Sequence, residues 1–302
     1  TQTYTAAAGG TDTIDLTTGA TTTFSSVNTN IVFATGTVQL ANGKNLVVNT
    51  GGGAGNISVN SIKGTSVEDV TLNAGTGNVT IGQIGDAAAE INQVTITGTT
   101  LNLGGNISTD DDGAGQAGNV DLNGAVVMTA GVTIDTSAGN GSVDLSSTLD
   151  AAFAFAISSG TGVVAIQGAT GNTTTLASLT INAAGSGTIE VANIGGGAVG
   201  VTGATAIGNA ATTQLTLDGT IYNTTGTQTY TAVAGGTDTI DLTAGNTTTF
   251  SSVNTNIAFA TGTVQLANTT NLVVNTGGGV GNITIVDIKG TSVEDVTLSA
   301  GT

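Results

Sequence analysis

Carboxylates are almost the only side chains in this sequence that could do chemistry. The 302 residues include 20 Asp and Glu, three Lys and neither His nor Cys, so the formal net charge is −17 at pH 7. The densest acidic group is Asp110–Asp111–Asp112, and a second pair, Asp121 and Asp144, occupies the same place in two VDL motifs. Ca²⁺ prefers several oxygen ligands at about 2.3–2.6 Å. We therefore predict Ca²⁺ as the candidate ligand of both groups. The alternative is a solvated loop for Asp110–Asp111–Asp112, and side chains splayed into water for Asp121 and Asp144.

The residue types that are missing exclude several classes of function. Zinc sites and disulfide scaffolds need His or Cys, and a nucleic-acid-binding protein needs a basic face. A membrane-spanning helix needs about 18 consecutive apolar residues, whereas the longest apolar run here is the seven residues 151–157. We therefore predict no cofactor other than Ca²⁺, no nucleic-acid partner and no membrane span.

A long repeat organises the chain that carries these acids. Residues 1–76 recur at 227–302, an offset of 226, and 64 of the 76 aligned positions are identical. We predict a 226-residue super-repeat over 1–226, followed by a partial copy over 227–302. Because the chain begins and ends inside copies of one unit, we expect it to be a piece of a larger repetitive protein.

A shorter repeat lies inside the long one, marked by a triplet with apolar first and third residues, as in VTI at Val79 and VDL at Val120. From Ile14 to Ile240 the triplets divide the 226 residues into ten repeats of about 22.6 each. A second alternating pair precedes most triplets, which is typical of short β-strands. The triplets begin at Ile14, Val38, Ile57, Val79, Leu101, Val120, Val143, Val164, Ile189, Leu215, Ile240, Val264 and Ile283.

Such short strands cannot bury an apolar face alone, but stacked repeats can, because each strand pairs with its equivalent one repeat away. The sequence therefore predicts an all-β fold: one continuous parallel β-helix over 1–302, with about 13 coils of about 22–23 residues and three short strands per coil. At about 4.8 Å per coil this would be roughly 60 Å long, and one 226-residue repeat would add roughly 48 Å. The absence of Pro fits, because Pro would remove a ladder hydrogen bond from any internal strand.

Segments such as GNVTI at Gly77, GNVDL at Gly118 and GSVDL at Gly141 resemble the repeats of filamentous-haemagglutinin-type adhesins and other giant bacterial surface proteins. The resemblance covers nearly the whole chain. It implies a right-handed parallel β-helix, secretion to the cell surface, and a role as the shaft of an adhesin or extracellular fibre. The implied partners are neighbouring repeats or copies stacked end to end, with host-cell or matrix glycans bound by regions outside this segment.

Other functions of a β-solenoid compete with this interpretation. Polysaccharide-cleaving β-helix enzymes place Arg, Lys or His beside grouped acids. This chain has three Lys and no His, so we predict that it is not an enzyme. Thr-x-Thr patterns such as that at 1–5 resemble ice-binding arrays, and a glycan-binding surface is a further alternative.

Adjacent like charges at Asp121 and Asp144 would repel each other unless solvent, a cation or a raised pKa relieves them. We therefore expect millimolar Ca²⁺ to raise the stability modestly.

Overall fold

The computed structural model describes residues 1–6, 13–111, 118–182, 187–235 and 239–302. These residues form β-strands joined by turns and contain no helix, so none of them forms a helix able to span a membrane. The fold is a parallel β-solenoid of about 11 turns, which confirms the predicted fold class and is close to the 13 coils expected. The chain divides into two compact units, Thr1–Ser147 and Thr148–Thr302. A single continuous solenoid over 1–302 stays a prediction.

Alternating apolar residues form the strands of the first unit, because β-branched side chains pack well on a pleated surface. Its described strands are β1 (Gln2–Thr5), β2 (Thr13–Leu16), β3 (Thr21–Ser25), β4 (Ile31–Thr35), β5 (Thr37–Leu40), β6 (Asn45–Asn49), β7 (Ile57–Lys63), β8 (Asp69–Asn73), β9 (Val79–Ile84), β10 (Gln93–Leu103), β11 (Ile107–Ser108), β12 (Val120–Met128), β13 (Val132–Asp135) and β14 (Val143–Leu145).

Three parallel ladders run through this unit. One passes through β1, β4, β7 and β9 and then the second half of β10. Another joins β2 and β5 to the end of β7 and continues through β9, β11 and β13. The third joins β3, β6 and β8 to the first halves of β10 and β12, and then to β14. Each turn of the chain therefore contributes one short strand to each ladder, as predicted.

The second unit repeats this plan. Its described strands are β15 (Leu149–Asp150), β16 (Ala154–Ser158), β17 (Val164–Ile166), β18 (Ser178–Ile181), β19 (Thr188–Val191), β20 (Thr205–Ile207), β21 (Gln214–Leu217), β22 (Ile221–Asn223), β23 (Gln228–Thr231), β24 (Ile240–Leu242), β25 (Thr248–Ser251), β26 (Ile257–Leu266), β27 (Leu272–Asn275), β28 (Ile283–Lys289) and β29 (Val296–Ser299). One ladder contains β22, β25, β27 and β29. Two others end on the two halves of β28, which both pair with β26.

The strand pairing predicted from the triplets is correct where successive triplets lie on one face of the solenoid. It is wrong where the next triplet lies on a different face. Val164, Ile189, Leu215, Ile240 and Val264 pair in succession, as expected. Elsewhere the triplet belongs to a different ladder, because a period of two is the same on all three faces and does not identify the face. The corrected pairs are Val38 with Ile62 rather than Ile57, Leu101 with Val126 rather than Val120, and Val264 with Ile288 rather than Ile283.

Aliphatic side chains fill the interior of both units, and one aromatic cluster interrupts them in each copy of the repeat. In the second copy the rings of Tyr230 and Phe259 stack with centroids 5.2 Å apart, and Phe250 meets both edge-on. The first copy repeats the arrangement with Tyr4, Phe24 and Phe33. The aromatic residues therefore mark the same packing position in each copy.

Candidate functional site: the acidic side chains

Asp110 and Asp111 follow β11, and Asp110 contacts both its neighbour Asp111 and the preceding coil. The Asp110 side chain accepts a hydrogen bond from the Asp111 backbone N–H at 2.8 Å, and the Asp110 N–H donates to the Ile91 carbonyl at 3.0 Å. Both residues are partly exposed. Asp112, the third predicted ligand, lies outside the described residues. The described part of this segment is thus a partly exposed turn with one carboxylate already used by the backbone.

Further acids surround this turn. Glu90 accepts a hydrogen bond from the Ser108 hydroxyl at 3.0 Å. Its pKa is raised, chiefly by burial and also by the negative charges of Asp110 and Asp135. Across the described ranges, no three His, Cys, Asp or Glu side chains come together as a metal site would require. Binding of Ca²⁺ here stays a prediction.

Asp121 and Asp144 are brought together as predicted. They are direct partners in the parallel pairing of β12 with β14. Burial, and then the charge of Asp121, raise the pKa of the Asp144 carboxyl. A carboxyl whose pKa is higher in the folded state binds its proton more tightly there than in the unfolded chain. Its ionisation therefore costs stability, and this cost appears as the pH rises through the raised folded pKa.

We expect Asp144→Asn to raise the melting temperature at pH 7 by about 1–3 °C in the presence of a chelator, because it removes the like-charge contact. If Ca²⁺ relieves the same repulsion, the variant should also lose most of the wild-type gain in millimolar Ca²⁺. Thermal melting with and without chelator checks both points. Adding Asp121→Asn should contribute little more, since one neutral partner already ends the repulsion. An unchanged melting temperature of the Asp144→Asn variant would refute the predicted repulsion between Asp121 and Asp144.

Glu68 is a buried acid whose environment was not anticipated from its place in the Glu68–Asp69 pair. It is fully buried, and its carboxylate accepts hydrogen bonds from the Thr65 N–H at 2.6 Å, the Thr65 hydroxyl at 2.7 Å and the Gly43 N–H at 2.8 Å. Gly43 belongs to the preceding coil. Glu68 therefore ties a corner of one coil to a corner of the next. The signal in the sequence is Thr followed three residues later by Glu, a local capping pattern.

The second copy shows the same corner in an exposed setting. Glu294, the equivalent of Glu68, accepts hydrogen bonds from the backbone N–H groups of Thr291 and Ser292 at 2.7 and 2.9 Å. The Thr291 hydroxyl and these N–H groups lower the pKa of Glu294 to about 2. The pKa is depressed in the folded state. The contact therefore adds stability above the ordinary carboxyl pKa of 4.5, and this is lost as the pH falls towards 2.

Glu68→Ala should lower the free energy of unfolding by about 2 kcal/mol, because it removes a fully buried side chain that accepts three part-buried hydrogen bonds. Glu294→Ala is the matched control, since the flanking sequence GTSVED is identical and water can replace the lost carboxylate. Chemical denaturation of both variants measures the difference. Equal losses in the two variants would show that the buried contacts of Glu68 add nothing.

Asparagine side chains make a second set of contacts between coils. The Asn30 side-chain oxygen accepts from the Asn56 N–H at 2.9 Å, and that of Asn56 accepts from the Asn78 N–H at 2.8 Å. Asn256 and Asn282 repeat the contact at 2.9 Å in the second copy. In each of these pairs an Asn precedes an apolar strand, so the recurring Asn before an apolar residue was the available signal.

The acidic and amide side chains with resolved contacts are thus used mainly to join one coil to the next. No family model matches this chain, and neither a curated protein nor a solved structure is significantly similar to it.

Proposed function

We propose that this chain is a structural shaft segment of a very large secreted surface adhesin or extracellular fibre. The observation that carries the proposal is the repetition of the same coil-to-coil contacts in both copies of the repeat. Tyr4 stacks on Phe33 with ring centroids 5.1 Å apart, and Tyr230 stacks on Phe259 at 5.2 Å. The same stacking contacts recur one 226-residue repeat later. This recurrence supports a function in which each added repeat lengthens the molecule.

The polar contacts support the same function. The Gln2 side-chain amide donates to the Ser25 carbonyl at 2.8 Å, and the Tyr4 hydroxyl donates to Gln2 Oε1 at 2.9 Å. The equivalent bonds of Gln228, to Ser251 and from Tyr230, measure 2.6 and 2.8 Å. Buried polar groups that are fully paired favour one packing arrangement over others. In the second copy, where Gln228 and Tyr230 are buried, these bonds therefore favour one register, and the first copy contains the same bonds in a partly exposed setting.

The resemblance to filamentous-haemagglutinin-type repeats supports the proposal of an adhesin that acts at the bacterial cell surface. In this proposal the partners of each coil are neighbouring repeats, and glycans are bound by other regions of the adhesin. The segment itself acts by geometry, because each added coil extends the ladders by about 4.8 Å. It performs no catalysis.

Chains that carry one, two and three 226-residue repeats test this function. Small-angle X-ray scattering should show a maximum dimension that grows linearly by roughly 48 Å per repeat. A dimension that grows only with the cube root of chain length would contradict a shaft. Antibodies against the chain should label intact, unpermeabilised cells of the source organism. Specific binding of the isolated segment on a glycan array would instead favour a binding surface, and thermal hysteresis would favour ice binding.

A further inference from the structure

Asparagine is followed by glycine at three places in the sequence, Asn42, Asn123 and Asn140. Glycine has no β-carbon, so its backbone nitrogen is the least hindered for attack on the side-chain amide of the preceding asparagine. Such an attack releases ammonia and closes a cyclic imide. The three pairs have the same chemistry in an unfolded chain, and their surroundings in the fold decide which of them can react.

The Asn42–Gly43 pair lies at the tip of an open turn. Both residues are exposed, and a hydrogen bond from the Lys44 N–H to the Ala41 carbonyl at 3.0 Å closes the turn. A β-carbon on Gly43 would have no neighbour within 4 Å. The backbone at Gly43 therefore has room to rotate towards the Asn42 side chain.

The other two pairs are held against the neighbouring coil. A β-carbon on Gly124, within β12, would lie 2.0 Å from the Gly98 carbonyl oxygen, and one on Gly141 would lie 2.1 Å from that of Gly118. The Gly141 N–H also donates to the Thr136 carbonyl at 3.0 Å. A carbonyl takes up no proton at neutral pH, so this contact holds the nitrogen without activating it.

Gly43 has a carboxylate where Gly141 has a carbonyl. The Gly43 N–H donates to Glu68 Oε1 at 2.8 Å, within the reach of about 2.6–3.2 Å that a general base needs. Glu68 is fully buried, and the N–H and hydroxyl of Thr65 hold its carboxylate at 2.6 and 2.7 Å. A base is thus fixed on the proton that the attacking nitrogen must lose.

We propose that Asn42 is a site of spontaneous deamidation in which Glu68 is the base. Glu68 takes the proton of the Gly43 N–H while that nitrogen bonds to the carbonyl carbon of the Asn42 side chain. The bond from this carbon to Nδ2 then breaks, and the proton passes from Glu68 to the departing nitrogen, which leaves as ammonia. Water opens the cyclic imide to aspartate or isoaspartate. Water is the only co-reactant, and nothing is oxidised or reduced.

Both products change the corner that joins two coils. Each adds a negative charge beside the carboxylate of Glu68, and like charges this close disfavour each other. Isoaspartate also carries the main chain through the side-chain carbon, which lengthens the turn. The contact between Gly43 and Glu68 therefore weakens as the protein ages. This inference does not depend on the shaft function, because it concerns one corner of the fold.

The second copy contains the same corner with one relevant difference. Asn268 is followed by Thr269, whose φ of 68° matches the 69° of Gly43 and whose N–H donates to Glu294 Oε1 at 3.2 Å. The branched β-carbon of threonine shields its backbone nitrogen. Asn268 therefore resists the reaction although an acid is in place, and the chain itself supplies a matched control.

Each Asn–Gly pair can be compared with itself in folded and unfolded wild type by peptide mass spectrometry, from the mass change when OH replaces NH₂. In guanidinium chloride the three pairs should react at similar rates. In the folded chain Asn123 and Asn140 should react about tenfold more slowly or less, because their coils must first open. Asn42 should not be slowed. Protection of Asn42 equal to that of Asn140 would overturn the proposal.

Three variants separate the nucleophile from the base. Gly43→Thr copies the second copy and should abolish deamidation at Asn42, whereas Thr269→Gly should start it at Asn268. Glu68→Gln keeps an oxygen acceptor but removes the base, so it should slow Asn42 by about tenfold or more. The rate at Asn140 is the internal control in every sample, and thermal melting checks that each variant is folded.

Two results with these variants would count against the proposal. An unchanged rate at Asn42 in folded Glu68→Gln would overturn the role of Glu68 as the base. Continued deamidation of Asn42 in Gly43→Thr would show that the backbone nitrogen at position 43 is not the nucleophile.

Discussion

Leu72→Ala should lower the free energy of unfolding by about 2–5 kcal/mol, the usual cost of removing a buried leucine side chain from a packed core. Leu72 is fully buried between Val48 of β6 and Ile96 of β10, its partners in the two flanking strands. The interior of a narrow coil has little freedom to collapse around the lost volume. Denaturant titration at low protein concentration measures the loss.

Leu298→Ala is the matched control for this variant. The flanking strand sequence VTL is identical, but the side chain is 50% exposed. We expect a loss below about 1 kcal/mol, because truncating a half-exposed leucine forms no closed cavity. If both variants lost the same stability, the covering strand β10 would contribute nothing to the burial energy of Leu72.

Gly171→Ala should destabilise the second unit by about 3 kcal/mol or more, since it combines backbone strain with a steric clash. Gly171 has a φ of 69°, in the left-handed region that favours glycine, and a β-carbon there would lie 1.9 Å from the Gly200 carbonyl oxygen. Its N–H also donates to the Leu149 carbonyl at 2.7 Å, so the corner cannot move away without losing that bond. Thermal and chemical unfolding measure the effect.

Gly197→Ala makes the same chemical change where the structure has room. Its added β-carbon would have no neighbour within 4 Å. We expect a change within about 0.5 kcal/mol, or a slight gain from the reduced freedom of the unfolded chain. A Gly171 variant as stable as the Gly197 variant would show that the close approach of Gly200 is easily relaxed.

The fold class could be predicted because alternation, repeat length and composition all point to stacked short strands. The pairing of Asp121 with Asp144 followed directly, since both occupy the middle of consecutive triplets on one face. The face itself could not be predicted at Val38 or Leu101. One strand such as β7 bends to supply two faces, with Ile57 on one and Ile62 on the other. Alternation continues through such a bend and does not reveal it.

Among the candidate site residues, the sequence identified the acids but not their roles. Glu68 and Glu294 have identical flanking residues, yet one is buried and the other exposed. The difference arises from the coil that lies on top, which is distant in sequence and carries no local signal. The need for glycine at position 171 could not be predicted for the same reason, because the close contact there comes from Gly200, 29 residues further along the chain.

The duplicated aromatic cluster has a consequence for how the chain folds. Neighbouring repeats interact mainly with each other, so a solenoid can begin to fold at any point and grow outwards. The cluster of Tyr4, Phe24 and Phe33 and that of Tyr230, Phe250 and Phe259 gather six of the nine aromatic rings of the sequence at two separate points. Each is a natural nucleus. Because their sequences are nearly the same, we expect strands from one nucleus to be captured by the other, so that domain-swapped intermediates are the main error of refolding.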